Sequence, residues 1–416
     1  MLVSLLLEEF EFKVINHMIS KIFMKIIDWD RIRNSQGIKN ISTLTTATIS
    51  GSAISALFWL YLAGLMGEEN YGELGYLIAI AGITSNIALI GGEWVMTIYT
   101  AKGKQVQPVL YLISIISSGI SAIILYAVFQ NVGLSVYVIG FVIFMLTISE
   151  IQGRKLYKTY AKFFVLQKMF FVLISLVLFQ IIGVEGILLG YGLSYIPFFR
   201  RMYSSIKTKN FDFKFIKEKK GFMINNYSLD LTGSVKGQID KLMIAPLFGF
   251  GLLGNYYLGL QVVSILSILP GVIFTYLLPQ DASGKSTTKI RVLTIFGSVV
   301  LAILGIFVAP ILIPIIFPEY NESVNLIPIL SISIIPGTIS SMYTSKFLGK
   351  EKSSYVLIGY IISISILVSG IIILGNIFEV MGLAIAYVLS STAQAIFLVA
   401  MNFLKKNSLG RVTNNE

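Results

Sequence analysis

The feature that most constrains this chain is a train of long apolar segments separated by short polar turns. Twelve are read, at 41–64, 73–98, 107–130, 133–150, 163–182, 185–200, 221–246, 251–279, 292–317, 323–346, 353–375 and 380–404. A helix of about 20 apolar residues spans the hydrocarbon core of a bilayer. A transmembrane barrel would instead show alternating segments of about 10 residues. Only helices and closed barrels satisfy their backbones in hydrocarbon, so helices are expected. Composition agrees: 55% of residues are hydrophobic and 13% charged, against about 25% charged in soluble domains. The expected fold class is an all-α integral membrane protein with twelve transmembrane helices. Segment 185–200 is the shortest and 221–246 the most polar.

The net charge of +11 resembles a nucleic-acid signal until its distribution is followed. With the N-terminus inside, 29 of the 32 Lys and Arg fall on inner segments. They include Lys102 and Lys104, Arg154 to Lys162, eight in 200–220, Lys285 to Arg291, Lys346 to Lys352, and Lys405 to Arg411. The outer loops carry no basic residue and hold Glu68, Glu69, Glu185, Glu319, Glu322 and Glu379. This is a positive-inside alternation, and a wrong helix number would have broken it partway. The basic excess is a topology signal, so no nucleic-acid partner is expected. Both termini are placed in the cytoplasm and the chain in the cytoplasmic membrane.

Five regions follow: an N-terminal segment 1–40, a first half 41–206 with helices one to six, a basic linker 207–220, a second half 221–404 with helices seven to twelve, and a tail 405–416. In the first region, Phe10, Phe12, Ile15, Met18, Ile19, Ile22, Phe23, Ile26 and Ile27 recur at helical spacing between charges. That pattern predicts a cytoplasmic amphipathic helix lying on the membrane. Met18 and Met24 are alternative starts.

The two halves resemble each other. Gly67-x4-Gly72 with Tyr76 follows the first helix, and Gly249-x4-Gly254 with Tyr257 follows the seventh. Gly186-Ile-Leu-Leu-Gly-Tyr191-Gly-Leu-Ser194 recurs as Gly382-Leu-Ala-Ile-Ala-Tyr387-Val-Leu-Ser390. Six helices per half, both halves starting inside, predict a parallel repeat: two six-helix lobes related by a pseudo-twofold along the membrane normal. Transporters built on such repeats bind substrate between the lobes and rock them.

The candidate site lies on the seventh segment. Asn226, Asp230, Lys236, Asp240 and Lys241 stand within an apolar frame. At about 100° per residue they fall within an arc of about 140°. An ionisable residue at mid-membrane costs about 2.5–3.5 kcal/mol, so this face is expected to meet protein or water. Either it lines a hydrated cavity or it holds a structural ion pair between helices. In the first reading Lys236 and Lys241 meet an anionic substrate, while Asp230 or Asp240 balances them or carries a coupling ion. Lys236 and Asp240 are spaced i,i+4 for pairing.

Lys168, about one and a half turns into the fifth helix, either joins the cavity or snorkels. Glu93, Glu150 and Arg154 near inner helix ends form an inner gate or ordinary boundaries; Arg154 is also a candidate for the cationic cavity, and Glu93 and Asn226 for its polar, ion-coupling set. Thr45, Thr46, Thr48, Ser50, Ser52 and Ser55 of the first helix either pack or wall the cavity opposite the seventh. There is no cysteine, and the one histidine, His17, lies outside the apolar region. A thiolate or histidine metal centre and a Ser-His-Asp triad in the membrane are thereby excluded. No nucleotide-binding motif is present, and no cofactor is expected.

Leu65-Met-Gly-Glu-Glu-Asn-Tyr71-Gly-Glu-Leu-Gly-Tyr76 resembles the loop after the first helix in oligosaccharide flippases of the polysaccharide biosynthesis family, the O-antigen flippase type. Gln238-Ile-Asp240-Lys-Leu-Met-Ile-Ala, Gly254-Asn-Tyr-Tyr257, Leu269-Pro270 and Leu278-Pro279 resemble that family's seventh and eighth helices. The family belongs to the multidrug/oligosaccharidyl-lipid/polysaccharide exporter superfamily. The resemblance runs from about 41 to 404. It implies a flippase that carries a polyprenyl-diphosphate-linked oligosaccharide to the outer leaflet through a central cationic cavity.

Multidrug exporters of the superfamily often carry an Asp in the first helix, whereas residues 41–66 hold no carboxylate. Lipid II flippases carry two extra helices and basic residues in the first helix, and neither is present. An ion-coupled multidrug exporter remains the alternative. A membrane polymerase or ligase would want a large outer loop with catalytic groups, which these short loops do not offer. Expected partners are the lipid-linked oligosaccharide, membrane lipids, glycan-assembly proteins and a coupling H+ or Na+.

Overall fold

The computed structural model describes residues 36–207, 213–283 and 287–412. The predicted amphipathic helix before residue 36, and the alternative starts within it, lie outside the described residues.

The described chain is helical and has no strand. In order it comprises α1 (Gln36–Leu89), α2 (Gly92–Ala101), α3 (Gln107–Phe129), α4 (Val132–Gly153), α5 (Tyr157–Ile182) and α6 (Val184–Leu193). A 3-10 turn (Ile196–Phe198) leads to α7 (Phe199–Ile206) and α8 (Phe213–Glu218). Then follow α9 (Lys220–Phe248), α10 (Phe250–Leu266), α11 (Ile268–Ala282), α12 (Thr288–Phe307), α13 (Ala309–Ile316), α14 (Ser323–Ile332), α15 (Ile334–Gly349) and α16 (Ser353–Val412).

Seven helices among the described residues are long and apolar enough to cross a membrane, or eight if α10 and α11, bent by 52° at Ser267, count as one span. Two of them far exceed one crossing. Ser42–Leu89 has 48 residues and Ser353–Leu404 has 52, about 70–80 Å of helix at 1.5 Å per residue against a core of about 30 Å. Each is broken near its middle. Gly67 takes φ 74, ψ 169 inside α1, and Glu379 takes φ 48, ψ −126 inside α16. The chain is therefore a multi-pass membrane protein. Its outer surface fits that solvent: Ile123 and Ile315, among many large apolar side chains, are 71% and 74% exposed. In hydrocarbon such exposure carries no penalty.

The predicted repeat has a backbone signature. Gly67 and Gly249, 182 positions apart, break their helices at nearly the same angles, φ 74, ψ 169 and φ 89, ψ 168. A positive φ of this kind needs a residue without Cβ. The segments after these breaks also meet reciprocally. A Cβ on Gly72 would lie 1.9 Å from the Phe250 carbonyl oxygen, and one on Gly254 would lie 1.9 Å from the Glu68 carbonyl oxygen. Such an exchange is what a local two-fold produces, and it brings α1 and α10 into the most extensive contact among the described helices.

A second register, 196 positions long, relates α4 to α6 with α15 and α16. Lys155 and Glu351 both sit at φ 58 in the connecting turns. Leu156 N–H donates to Ile151 O at 3.1 Å, and Lys352 N–H to Phe347 O at 2.9 Å. Gly183 and Glu379 are the matching breaks. Gly186 abuts the Leu178 carbonyl as Gly382 abuts that of Leu374. Inside the helices, Gln167 donates to Ser194 at 3.0 Å, and Ser363 pairs with Ser390 at 3.0 Å.

Candidate functional site

α9 carries the charges. Asp240 and Lys241 are buried, at 2% and 7% exposure. Lys241 Nζ pairs with Asp240 Oδ1 at 3.1 Å and donates to the Gly237 carbonyl at 2.9 Å. The Tyr256 hydroxyl on α10 donates to Asp240 Oδ2 at 3.0 Å. Both carboxylate oxygens thus have partners, as a buried charge requires. The expected i,i+4 pairing of Lys236 with Asp240 does not form. Asp240 is turned toward Tyr256 and takes its sequence neighbour instead. Among the described residues Lys236 has no ion-pair partner; its ammonium lies 5.4 Å from the centre of the Tyr360 ring.

Lys236, Asp240 and Lys241 line one cavity of about 530 Å3. Its other walls include Tyr257, Gln261 and Ser264 of α10 and Tyr360, Tyr387 and Ser390 of α16. The charges in its lining are two lysines and one aspartate, a net +1. The cavity is built almost wholly from second-half helices. The first half contributes Ile78, from the part of α1 beyond the Gly67 break. The hydroxyls of residues 45–55 do not face it, contrary to one reading of the sequence; Thr48 instead donates to the Leu44 carbonyl of its own turn.

The remaining expected residues lie elsewhere. Asn226 donates to the Phe222 carbonyl one turn back, at 2.8 Å. Asp230 lies within electrostatic reach of Glu93 on α2, so these two carboxylates form a group of their own. Lys168 lies between the rings of Phe164 and Tyr191, 5.7 and 5.8 Å from their centres. Arg154 pairs with buried Glu150 at 2.7 Å, and Glu150 also receives Arg201 at 3.3 Å and the Tyr111 hydroxyl at 3.3 Å. That arrangement ties helix ends together.

Sequence reasoning missed the polar wall of α16. Tyr387, Ser390, Ser391 and Gln394 follow an i, i+3, i+4, i+7 spacing, a helical face that was open to view. It also missed the buried pair Asp281–Arg291, at 2.5 Å, because Asp281 and Arg291 read as boundary charges beside a loop.

A further polar cluster sits at the Gly67 end. Asn255 of α10 donates to Glu68 and to the Gly251 carbonyl. Its own oxygen accepts from the Ser323 N–H at 3.1 Å and from the Ser323 hydroxyl at 2.9 Å. The Tyr320 hydroxyl donates to the Ala63 carbonyl at 2.8 Å. These bonds tie α1, α10 and the start of α14 together at that end.

No family model and no curated sequence matches this chain. Solved structures do share its fold. An inward-facing multidrug resistance MATE family transporter of the MOP superfamily superposes with a TM-score of 0.69 at 12% identity, covering 89% of this chain and 95% of its own. The lipid II flippase MurJ in an inward closed conformation superposes at 0.71 and 11% identity, covering 86% and 87%. An outward-facing MATE transporter gives 0.61 at 12% identity, covering 92% and 99%. The chain has the fold shared by these membrane transporters and flippases.

Proposed function

We propose that the chain is an alternating-access flippase that moves a polyprenyl-diphosphate-linked oligosaccharide across the cytoplasmic membrane for surface glycan assembly. The observation that carries this reading is Lys236, a cation without a carboxylate partner among the described residues, in a cavity whose lining is net positive. A cation held in a cavity is matched by an anion, and diphosphate oxygens accept charge-assisted hydrogen bonds from lysine. The lipid tail stays in the bilayer beside the molecule.

The reading takes the architecture as twelve crossings in two six-helix lobes with both termini cytoplasmic. The two long helices, each broken at its middle, count twice. α9 and the α6–α7 segment add crossings whose charges or length hide them from a hydropathy test. The reciprocal glycine contact supports a pseudo-twofold between α1 and α10, at the end that carries Glu68, Glu319 and Glu322 and that this reading takes as outer. With that end tied together, and with TM-scores of 0.69 and 0.71 to an inward-facing and an inward closed structure against 0.61 to an outward-facing one, this reading takes the cavity as loading from the cytoplasmic side. Glu93 and Asp230 are the assigned site for a coupling H+ or Na+. Translocation is a binding cycle without a covalent step.

The alternative, an ion-coupled multidrug exporter, shares the fold. A net-positive lining disfavours the organic cations such an exporter would carry. The test is reconstitution in vesicles with a labelled polyprenyl-diphosphate-linked oligosaccharide. Translocation into the far leaflet, lost in Lys236→Gln, is expected. Absent lipid translocation together with drug resistance in cells expressing the chain would select the exporter.

A further inference from the structure

A second cavity, of about 290 Å3, adjoins the first and shares Lys236, Tyr360 and Ser391 with it. Its wall carries two orphaned polar atoms. Ser340 on α15 and Gln394 on α16 are 5% and 2% exposed. Ser340 Oγ and Gln394 Oε1 have no hydrogen-bond partner. A buried polar atom left unpaired costs about 1–3 kcal/mol, so a polar occupant that draws these two side chains inward from the wall is favoured.

The matching positions of the first half sharpen the point. In the 196-residue register Ser340 corresponds to Phe144 and Gln394 to Phe198, and those two rings pack at 4.9 Å. The second half has exchanged a solid aromatic contact for a hollow lined with polar atoms.

The chemistry of the wall narrows the occupant. Its lining holds no carboxylate and one cation, Lys236, so a metal ion is not favoured. Gln394 Oε1 is an acceptor, and an anion cannot satisfy an acceptor. The occupant must bring hydroxyl or amide N–H donors. Phe274 and Tyr360 offer aromatic faces in the same wall, suited to the C–H face of a pyranose. The volume lies at the lower edge of the ~300–1,000 Å3 typical of small-molecule pockets, the scale of one sugar ring.

We propose that this second cavity is a sugar subsite, taking the first saccharide of the lipid-linked substrate while its diphosphate lies against Lys236 in the larger cavity. This rests on the flippase reading above. The test measures binding to the full chain in lipid nanodiscs by calorimetry. The probes are farnesyl diphosphate and farnesyl-diphospho-N-acetylglucosamine. Ser340→Ala and Gln394→Met are each expected to weaken the glycosylated probe by up to about tenfold and to leave farnesyl diphosphate unchanged. Ser340→Ala removes a single hydroxyl and carries the test if Gln394→Met does not fold. Equal binding of the glycosylated probe to wild type and both variants would mean a hydrated void only and would overturn the subsite. If farnesyl diphosphate binding is still lost in Lys236→Gln, the anionic-lipid reading survives that result. Farnesyl diphosphate binding that ignores Lys236→Gln would overturn that reading and the subsite with it.

Discussion

The two halves share a backbone and differ in what fills it. Around α5 and α6 the first half is packed solid with rings. Phe171 stacks on Tyr191 at 3.8 Å, Tyr191 on Tyr195 at 5.7 Å, and Tyr137 meets Tyr191 at 4.8 Å. The second half places Leu367, Tyr387 and Ser391 at the positions of Phe171, Tyr191 and Tyr195, and all three line the 530 Å3 cavity. Phe164 becomes Tyr360, and Lys168, held between rings, becomes Ile364. Conserving helix breaks while changing side-chain volume thus leaves one repeat packed with rings and the other hollow, and the hollow is the chamber proposed above to bind. Backbone matching alone does not say which half holds the cavity; ring size does.

The largest expected effect tests the part the halves share. Gly72→Ala and Gly254→Ala each drive a methyl into a backbone carbonyl, which no rotamer change relieves. Each is expected to cost upwards of ~3 kcal/mol, beyond ordinary overpacking, in thermal or denaturant unfolding in detergent. The two should cost alike, and a tolerated alanine at one site would break the reciprocity.

Phe198→Ala against Gln394→Ala tests the difference. The buried phenyl ring should cost ~3–5 kcal/mol. The glutamine, which borders a void and leaves one orphaned acceptor, should cost under ~1 kcal/mol. Equal losses would mean that the second half is as tightly packed as the first.

Next comes Leu367→Phe, which copies the first-half residue into the cavity. Stability should change by less than ~1.5 kcal/mol, since space is available, while transport in vesicles should fall. Unchanged transport would remove the large cavity from the substrate path.

The smallest effect belongs to the Gly67 end. Burial raises the Glu322 carboxyl above its usual range, and the charges of Glu68 and Glu379 raise it further. A carboxyl raised in the folded form binds its proton more tightly there. The folded state is therefore favoured at low pH and loses that contribution as pH rises through the raised value. Glu322→Gln should slightly raise the unfolding midpoint at neutral pH and flatten its pH dependence. A steeper dependence would contradict the assigned cluster.

Much of this was legible in the sequence, because it depends on residues with one structural use. Gly67 and Gly249, and Gly186 and Gly382, were legible as motifs recurring in both halves; the reason for them, a positive φ in the first pair and a backbone carbonyl against the second, came only with the structure. The charged face of α9 was legible because charge in hydrocarbon is expensive. Partner choice was not. Lys236 and Lys241 both lie within reach of Asp240, and the outcome turned on Tyr256, which arrives from another helix. The separate group of Glu93 and Asp230 likewise depends on α2 lying beside α9 after the break at Ile90–Gly91. Helical period places such residues on a face but does not say which neighbour that face meets.

The most direct test compares two lysines that the repeat sets apart. Lys236→Gln and Lys168→Gln are reconstituted side by side, and translocation of a labelled polyprenyl-diphosphate-linked oligosaccharide is timed. A charge-assisted bond is worth about 1.5–3 kcal/mol, so Lys236→Gln should slow transport about tenfold or more while Lys168→Gln leaves it near wild type. Equal rates for the two variants, or a loss confined to Lys168→Gln, would contradict a binding chamber in the second half.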